Sequence, residues 1–205
     1  MKNYKTVKHA AEAEHTVEHS RFIVHIRRVE SREQAEQFIA AIKKEYWDAR
    51  HNVYAYVLKN GESRCSDDGE PSGTSGMPTL DVIVKQGFED VCIVTTRYFG
   101  GILLGTGGLV RAYSKAASLA LEAAGSVQIC ECSVYSLTAP YAYIDKLNRF
   151  FAERHCVVES TDYAENVTFV FYLQSENAPD FEKKLTDEFH AEIAANFIKN
   201  EYCAL

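Results

Sequence analysis

The sequence predicts an α+β protein of two domains, residues 1–132 and 133–205, the second with the β-α-β-β-α-β order of a ferredoxin-like unit. Three observations point there. Apolar residues switch repeatedly between period two and period 3.6, with turn signals between the patterned segments. Two long glycine-rich runs fall in the first part and none in the second. Charge divides as well: residues 1–132 hold 16 Lys+Arg against 17 Asp+Glu, and residues 133–205 hold 6 against 12.

The elements follow in order. Residues 21–29 alternate polar and apolar side chains and read as a strand. Ser31 is placed to cap the next helix, with Gln34 three residues on. Ala35, Phe38, Ile39 and Ile42 then share one helical face. Residues 52–59 form a strand into the Asn60-Gly61 turn, with a hairpin partner at 62–65. Pro78 suits a first helical turn, Leu80, Ile83 and Val84 continue it, and Gly87 ends it. Residues 91–96, Val-Cys-Ile-Val-Thr-Thr, lack polar alternation, as a central strand covered on both faces does. A helix over 107–124 turns Leu109, Val110, Tyr113, Ala116, Ala117 and Ala120 inward and stops at Gly125.

Beyond residue 132 the rhythm is simpler. A strand at 133–138 leads to a helix at 141–153 with Ile144, Leu147 and Phe151 inward. Antiparallel strands at 156–160 and 166–173 follow, then a helix at 179–189 carrying Phe181, Leu185 and Phe189. A last strand is expected at 193–198.

The glycine-rich runs are residues 66–76, Ser-Asp-Asp-Gly-Glu-Pro-Ser-Gly-Thr-Ser-Gly, and residues 97–111, Arg-Tyr-Phe-Gly-Gly-Ile-Leu-Leu-Gly-Thr-Gly-Gly-Leu-Val-Arg. They hold eight of the eleven glycines, a density needed where the backbone takes positive φ or approaches another group. The second run joins a strand to a helix. Gly107 and Gly108 are expected to open that helix, with unpaired N–H groups at its positive end. Arg111 and Lys115 lie four apart on one helical face, and Arg97, Tyr98, Gly100 and Gly101 come just before. This is the chemistry of a phosphate or carboxylate site. The alternative is that the glycines only permit turns and Arg97 pairs with an internal carboxylate. Tyr98 and Phe99 are either exposed, where they can stack on bases, or core. The spacing fits neither the dinucleotide nor the Walker phosphate motif, and no cofactor is expected.

The first run is acidic, with Asp67, Asp68 and Glu70 within four residues. The carboxylates can hold a divalent cation, act as acid and base, or pair with Arg97 and Arg111 to hold the runs together. Calcium-loop spacing is missing and no nucleophile is fixed, so pairing is favoured; no metal ligand and no catalytic residue is assigned. Ser66, Ser72, Thr74 and Ser75 either cap turns or touch a ligand's polar edge. His51, just before a strand, is a further candidate, although such a histidine is more often a structural hydrogen-bonder.

Six cysteines without a Cys-x-x-Cys pair read as reduced structural thiols. The sequence opens Met-Lys-Asn-Tyr-Lys without an apolar leader, and no run of 18 apolar residues occurs, so a cytoplasmic protein away from membranes is expected.

With these residues in hand the chain resembles the IMPACT/YigZ family over essentially its whole length. The resemblance rests on Ser20-Arg21-Phe22-Ile23, residues 49–56 (Ala-Arg-His-Asn-Val-Tyr-Ala-Tyr), the loop at 66–76, and Thr96-Arg97-Tyr98-Phe99-Gly100-Gly101 through Gly105 to Arg111-Ala112-Tyr113. Ser75 departs from it, since alanine is common there. The resemblance implies a first domain like the second domain of a ribosomal small-subunit protein, a superfold shared with translation factors and small-molecule kinases. It implies a second domain similar to a late domain of elongation factor G. Eukaryotic relatives act in translational control by competing for a kinase activator; they carry an N-terminal partner-binding domain instead of this C-terminal one, so the resemblance does not carry that partner over.

The leading expectation is therefore a non-enzymatic RNA- or ribosome-associated factor in the regulation of translation, with Arg97, Arg111 and Lys115 on phosphate. An enzyme on a phosphorylated or carboxylated small molecule, using the acidic loop and His51, is the alternative. A protein-interaction module working through the acidic second domain is a third. Oligomeric state is not readable from these residues.

Overall fold

The computed structural model describes residues 3–205; Met1 and Lys2, which open the predicted first domain and the stretch read as lacking an apolar leader, lie outside the described residues. Contacts divide the chain at 128/129, with residues 4–128 in one unit and 129–205 in the other. That division falls inside a strand, four residues before the expected boundary at 132.

The first unit begins with β1 (Tyr4–Val7), β2 (Ala11–Val17) and β3 (Ser20–Arg28). Glu18 and His19 join β2 to β3 at φ 44° and 61°, a two-residue hairpin turn of the primed type that suits the strand twist. Helix α1 (Arg32–Glu45) starts at Ser31, whose hydroxyl accepts the Gln34 N–H, while the Gln34 side chain returns to the N–H of Glu30. The cap is the one the sequence predicts, shifted back by one residue on its return bond. Strands β4 (His51–Val57) and β5 (Ser63–Ser66) form the hairpin, α2 (Gly76–Lys85) follows, and β6 (Val91–Tyr98) leads to α3 (Gly105–Ala124).

The strands assemble as β2-β3-β6-β4-β5, every pair antiparallel. Central β6 is buried on both faces. Val91 and Ile93 pack with Leu109, Tyr113 and Ala116 of α3 and Ile83 of α2. Cys92 and Val94 pack with Ala35, Ile39 and Ile42 of α1. Helices on both sides explain why this strand shows no polar alternation although the sheet is antiparallel. Val110 was expected inside, but it is 37% exposed: α3 presents only one stripe to the sheet, and residue 110 lies off it.

The second unit is β7 (Ser126–Ala139), α4 (Ile144–Glu153), β8 (Val157–Tyr163), β9 (Val167–Gln174), α5 (Ala178–Glu188) and β10 (Ala195–Ala204), with β7 starting in the first unit. The strands of this unit pair in the order β10-β7-β9-β8, all antiparallel. The split β-α-β order read from the sequence is thus present. Alternate residues of β9, Val167, Phe169, Phe171 and Leu173, point into a core completed by Phe150, Phe151, Phe181 and Phe189. Phe151 and Phe171 lie 4.5 Å apart between ring centres. β10 runs six residues past the expected end, because pairing with β7 and not burial holds residues 199–204 in the sheet.

Candidate functional site

The site is built where β6 ends. Successive strand residues face opposite sides, so Arg97 points to the α2/α3 face and Tyr98 to the α1 face. In register, Phe22 of β3 and His51 of β4 flank Arg97. Burial leaves Arg97 only 6% exposed, and a charge in that position needs a partner. Glu70, 8% exposed, supplies it: Arg97 Nη1 donates to Oε1 at 2.7 Å and to Oε2 at 3.0 Å. Tyr113 of α3 donates its hydroxyl to the same Oε1 at 2.8 Å. Burial first, then the adjacent Glu70 charge, hold the Tyr113 hydroxyl protonated well above its ordinary range. Arg97 Nη2 reaches Ser20 Oγ at 3.4 Å, and its guanidinium lies over the rings of Phe22 and Phe99.

The remaining carboxylates of the first glycine-rich run are engaged elsewhere. Asp67 Oδ1 accepts from Ser75 Oγ at 2.6 Å, Gly76 N at 2.8 Å and Ser75 N at 3.1 Å, and Oδ2 accepts from Gly73 N at 2.8 Å. Partial burial pushes its pKa up, but those four donors outweigh it and hold the carboxyl below its ordinary value. Asp67 therefore ties the loop onto the start of α2. Asp68 sits at φ 45° and Gly69 at φ 87°, a reversal that sends Asp68 and Glu70 apart. Asp68 Oδ1 takes Lys43 Nζ at 2.5 Å and Oδ2 takes Asn52 N at 2.7 Å. His51 Nδ1 lies 2.8 Å from the Asp68 carbonyl, which can only accept, so that nitrogen carries the proton. Ser66, Thr74 and Ser75 use their hydroxyls inside the loop, and Ser72 is exposed. Of the expected carboxylate–arginine pairs, Glu70–Arg97 forms, and Arg111 has no carboxylate partner among the described residues.

The second run behaves differently. Gly100 lies against the β2–β3 turn, where a Cβ would come within 2.0 Å of the His19 backbone. Helix α3 starts at Gly105, two residues before the expected Gly107, and Gly105 itself takes φ 67°, a conformation glycine tolerates. Gly101, Gly107 and Gly108 thus flank or occupy the first turn, which carries no side-chain cap. On one side of that turn is a cavity of about 410 Å³ lined by Arg50, His51, Glu70, Arg97, Phe99, Thr106 and Leu109 among others. On the other is a groove of about 570 Å³ that includes His15, Glu18, Arg111 and Lys115. Leu103 and Leu104 border both. Arg111 lies over Gly107, its Nη1 3.6 Å from where a Cβ would stand.

The expected constellation is therefore divided. Arg97 is committed to Glu70, Tyr98 donates to Asp48 on the far face at 2.9 Å, and Arg111 and Lys115 share the groove. Arg50, exposed at the cavity rim, and Tyr113, beneath Glu70, were not assigned roles from spacing. Their signal lay in the strings containing Arg50-His51 and Ala112-Tyr113. Among the described residues no three His, Cys, Asp or Glu side chains group as a metal set.

Fold and site define a two-domain α+β protein whose first domain displays an uncapped helix start between two recesses. Residues 18–121 match the Impact N-terminal domain, and residues 137–191 match a domain of unknown function (DUF1949). The chain belongs to the IMPACT family. It is 40% identical to IMPACT family member YvyE of Bacillus subtilis, with 91% of this chain and 87% of that protein covered. Against IMPACT family member YigZ of Escherichia coli the identity is 31%, covering 83% and 86%. A crystal structure of a hypothetical protein superposes with a TM-score of 0.62 at 28% identity, covering 98% of this chain and all of that one.

Proposed function

We propose that this protein is a non-enzymatic RNA- or ribosome-associated factor in the regulation of translation, contacting RNA phosphate around the start of α3. The observation that carries this reading is the uncapped first turn of a 20-residue helix, with Arg50 on one side and Arg111 with Lys115 on the other. Phe99, 49% exposed, adds a ring on which a base can stack. Eukaryotic relatives that share part of the chain support the setting: Protein IMPACT homolog of Dictyostelium discoideum is 36% identical over 44% of this chain and 27% of that protein.

The reading includes a first domain like the second domain of a ribosomal small-subunit protein and a second domain similar to a late domain of elongation factor G, in the cytoplasm. No described helix is long and apolar enough to cross a membrane. An enzyme built on the acidic loop has less support, because Asp67, Asp68 and Glu70 each already accept several hydrogen bonds or ion pairs. Titrating single-stranded RNA and ribosomes across a salt series tests the proposal. Arg50→Ala and Arg111→Ala should each weaken binding and lower the salt slope by about one. Unchanged affinity and slope in both variants would overturn it.

A further inference from the structure

The cavity beside α3 is more specific than a general phosphate-binding surface requires. Its volume, about 410 Å³, lies near the lower end of small-ligand pockets, which is room for one nucleotide and not for a duplex. Its lining has two characters. Phe99, Leu104, Leu109 and Pro71 make an apolar part, and the Phe99 ring lies 5.7 Å from the Arg97 guanidinium, so one ring face is already supported. Arg50 and the first α3 residues, Gly105 and Thr106, make a cationic part. Arg97 stands on the wall, 94% buried by its 6% exposure and held there by Glu70. Glu70 also lines the cavity, and its Oε2 receives only Arg97 Nη1.

We infer that this cavity binds a single unpaired nucleotide through its 5′-phosphate, the phosphate at the α3 start beside Arg50 and the base against Phe99. The inference deepens the RNA-binding proposal and rests on it for the natural source of the ligand, which is a free mononucleotide or the 5′ end of a strand. The chemistry argues for an anion joined to a flat body: a bare anion leaves the apolar wall wet, and an uncharged base leaves the helix start and Arg50 unmatched.

The test uses the full chain, with adenosine 5′-monophosphate, adenosine, and one short single-stranded RNA carrying either a 5′-phosphate or a 5′-hydroxyl. The monophosphate should bind at least tenfold more tightly than adenosine. Arg50→Ala should erase that preference, and Phe99→Ala should weaken both nucleoside forms by a similar factor. A matching preference for the 5′-phosphorylated strand, with the monophosphate competing, assigns the cavity to strand ends. Binding of the monophosphate without either strand supports the cavity as a free-nucleotide site and removes the RNA reading. Equal binding of both strands with no competition by the monophosphate overturns the inference and leaves the RNA reading standing. Equal affinity for adenosine and its monophosphate also overturns it.

Discussion

The two glycine-rich runs differ in how completely their polar groups are satisfied. In residues 66–76 every carboxylate has partners: Asp67 has four donors, Asp68 a lysine and a backbone N–H, Glu70 an arginine and a tyrosine. In residues 97–111 Arg97, Tyr98 and the Gly100 N–H are partnered, but Arg111 has no carboxylate partner among the described residues and the helix start has no side-chain cap. The first run is a scaffold and the second a surface. A sequence that is acidic in one loop and basic in the next thus does not contain two halves of one salt-bridged clasp. Among the described residues one ion pair joins them, and the remaining cation of the second run, Arg111, is exposed.

The largest test strikes that single pair. Glu70→Ala leaves the Arg97 charge and the Tyr113 hydroxyl buried without their acceptor, and should cost about 3–5 kcal/mol in denaturant unfolding of the first unit. Glu70→Gln, which keeps an acceptor, should cost clearly less. Equal, small losses in both would show that Arg97 finds another partner and that the first run is less of a scaffold than described.

Asp67 comes next. Asp67→Asn keeps the shape but removes the charge that four donors face, an expected loss of about 2–3 kcal/mol. The pH dependence has a fixed sign. Its folded pKa is lowered, so its contribution is complete above the ordinary carboxylate range and is lost as pH falls through the folded value. The wild-type and Asp67→Asn stability curves should therefore converge on acidification below about pH 4. Parallel curves would contradict the assignment.

Much of this was legible in the sequence and some was not, for identifiable reasons. The apolar run 91–96 announced a covered central strand, and Val167, Phe169, Phe171 and Leu173 announced a one-sided one, because burial writes itself as periodicity. The end of β6 was not so marked. Pairing with Phe22 and His51 extends it through Arg97 and Tyr98, and once both are strand residues they must part to opposite faces. Grouping them in one site treated strand as loop. The Glu70–Arg97–Tyr113 link joins residues 27 and 43 positions from Glu70, and no local spacing encodes it. Arg50 was overlooked because it shares a cavity with the α3 start, a juxtaposition that no local spacing encodes.

Within the second run, two glycines sharpen the comparison further. Gly100→Ala forces a Cβ to within 2.0–2.3 Å of the His19 and Ser20 backbone, so the β2–β3 turn must move, at a cost of about 1–3 kcal/mol. Gly107→Ala meets only the flexible end of Arg111, 3.6 Å away, and should gain up to about 1 kcal/mol in helix propensity. Opposite signs in thermal or denaturant unfolding would place the structural glycine before α3 and leave the one inside it free. A loss at Gly107 of the same size as at Gly100 would mean that the first turn is held as tightly as the loop.

The smallest expected stability effect carries the functional half of the comparison. Arg111 is exposed and unpaired among the described residues, so Arg111→Ala should change unfolding by less than about 0.5 kcal/mol. If the second run is a surface, the same substitution should still weaken RNA binding and flatten its salt dependence. Glu70→Gln, read in the same assay, should act through the folded fraction and not through the salt slope. A variant that binds RNA as wild type while folding as wild type would make Arg111 an ordinary solvated side chain, and the contrast between the runs would then be one of packing alone.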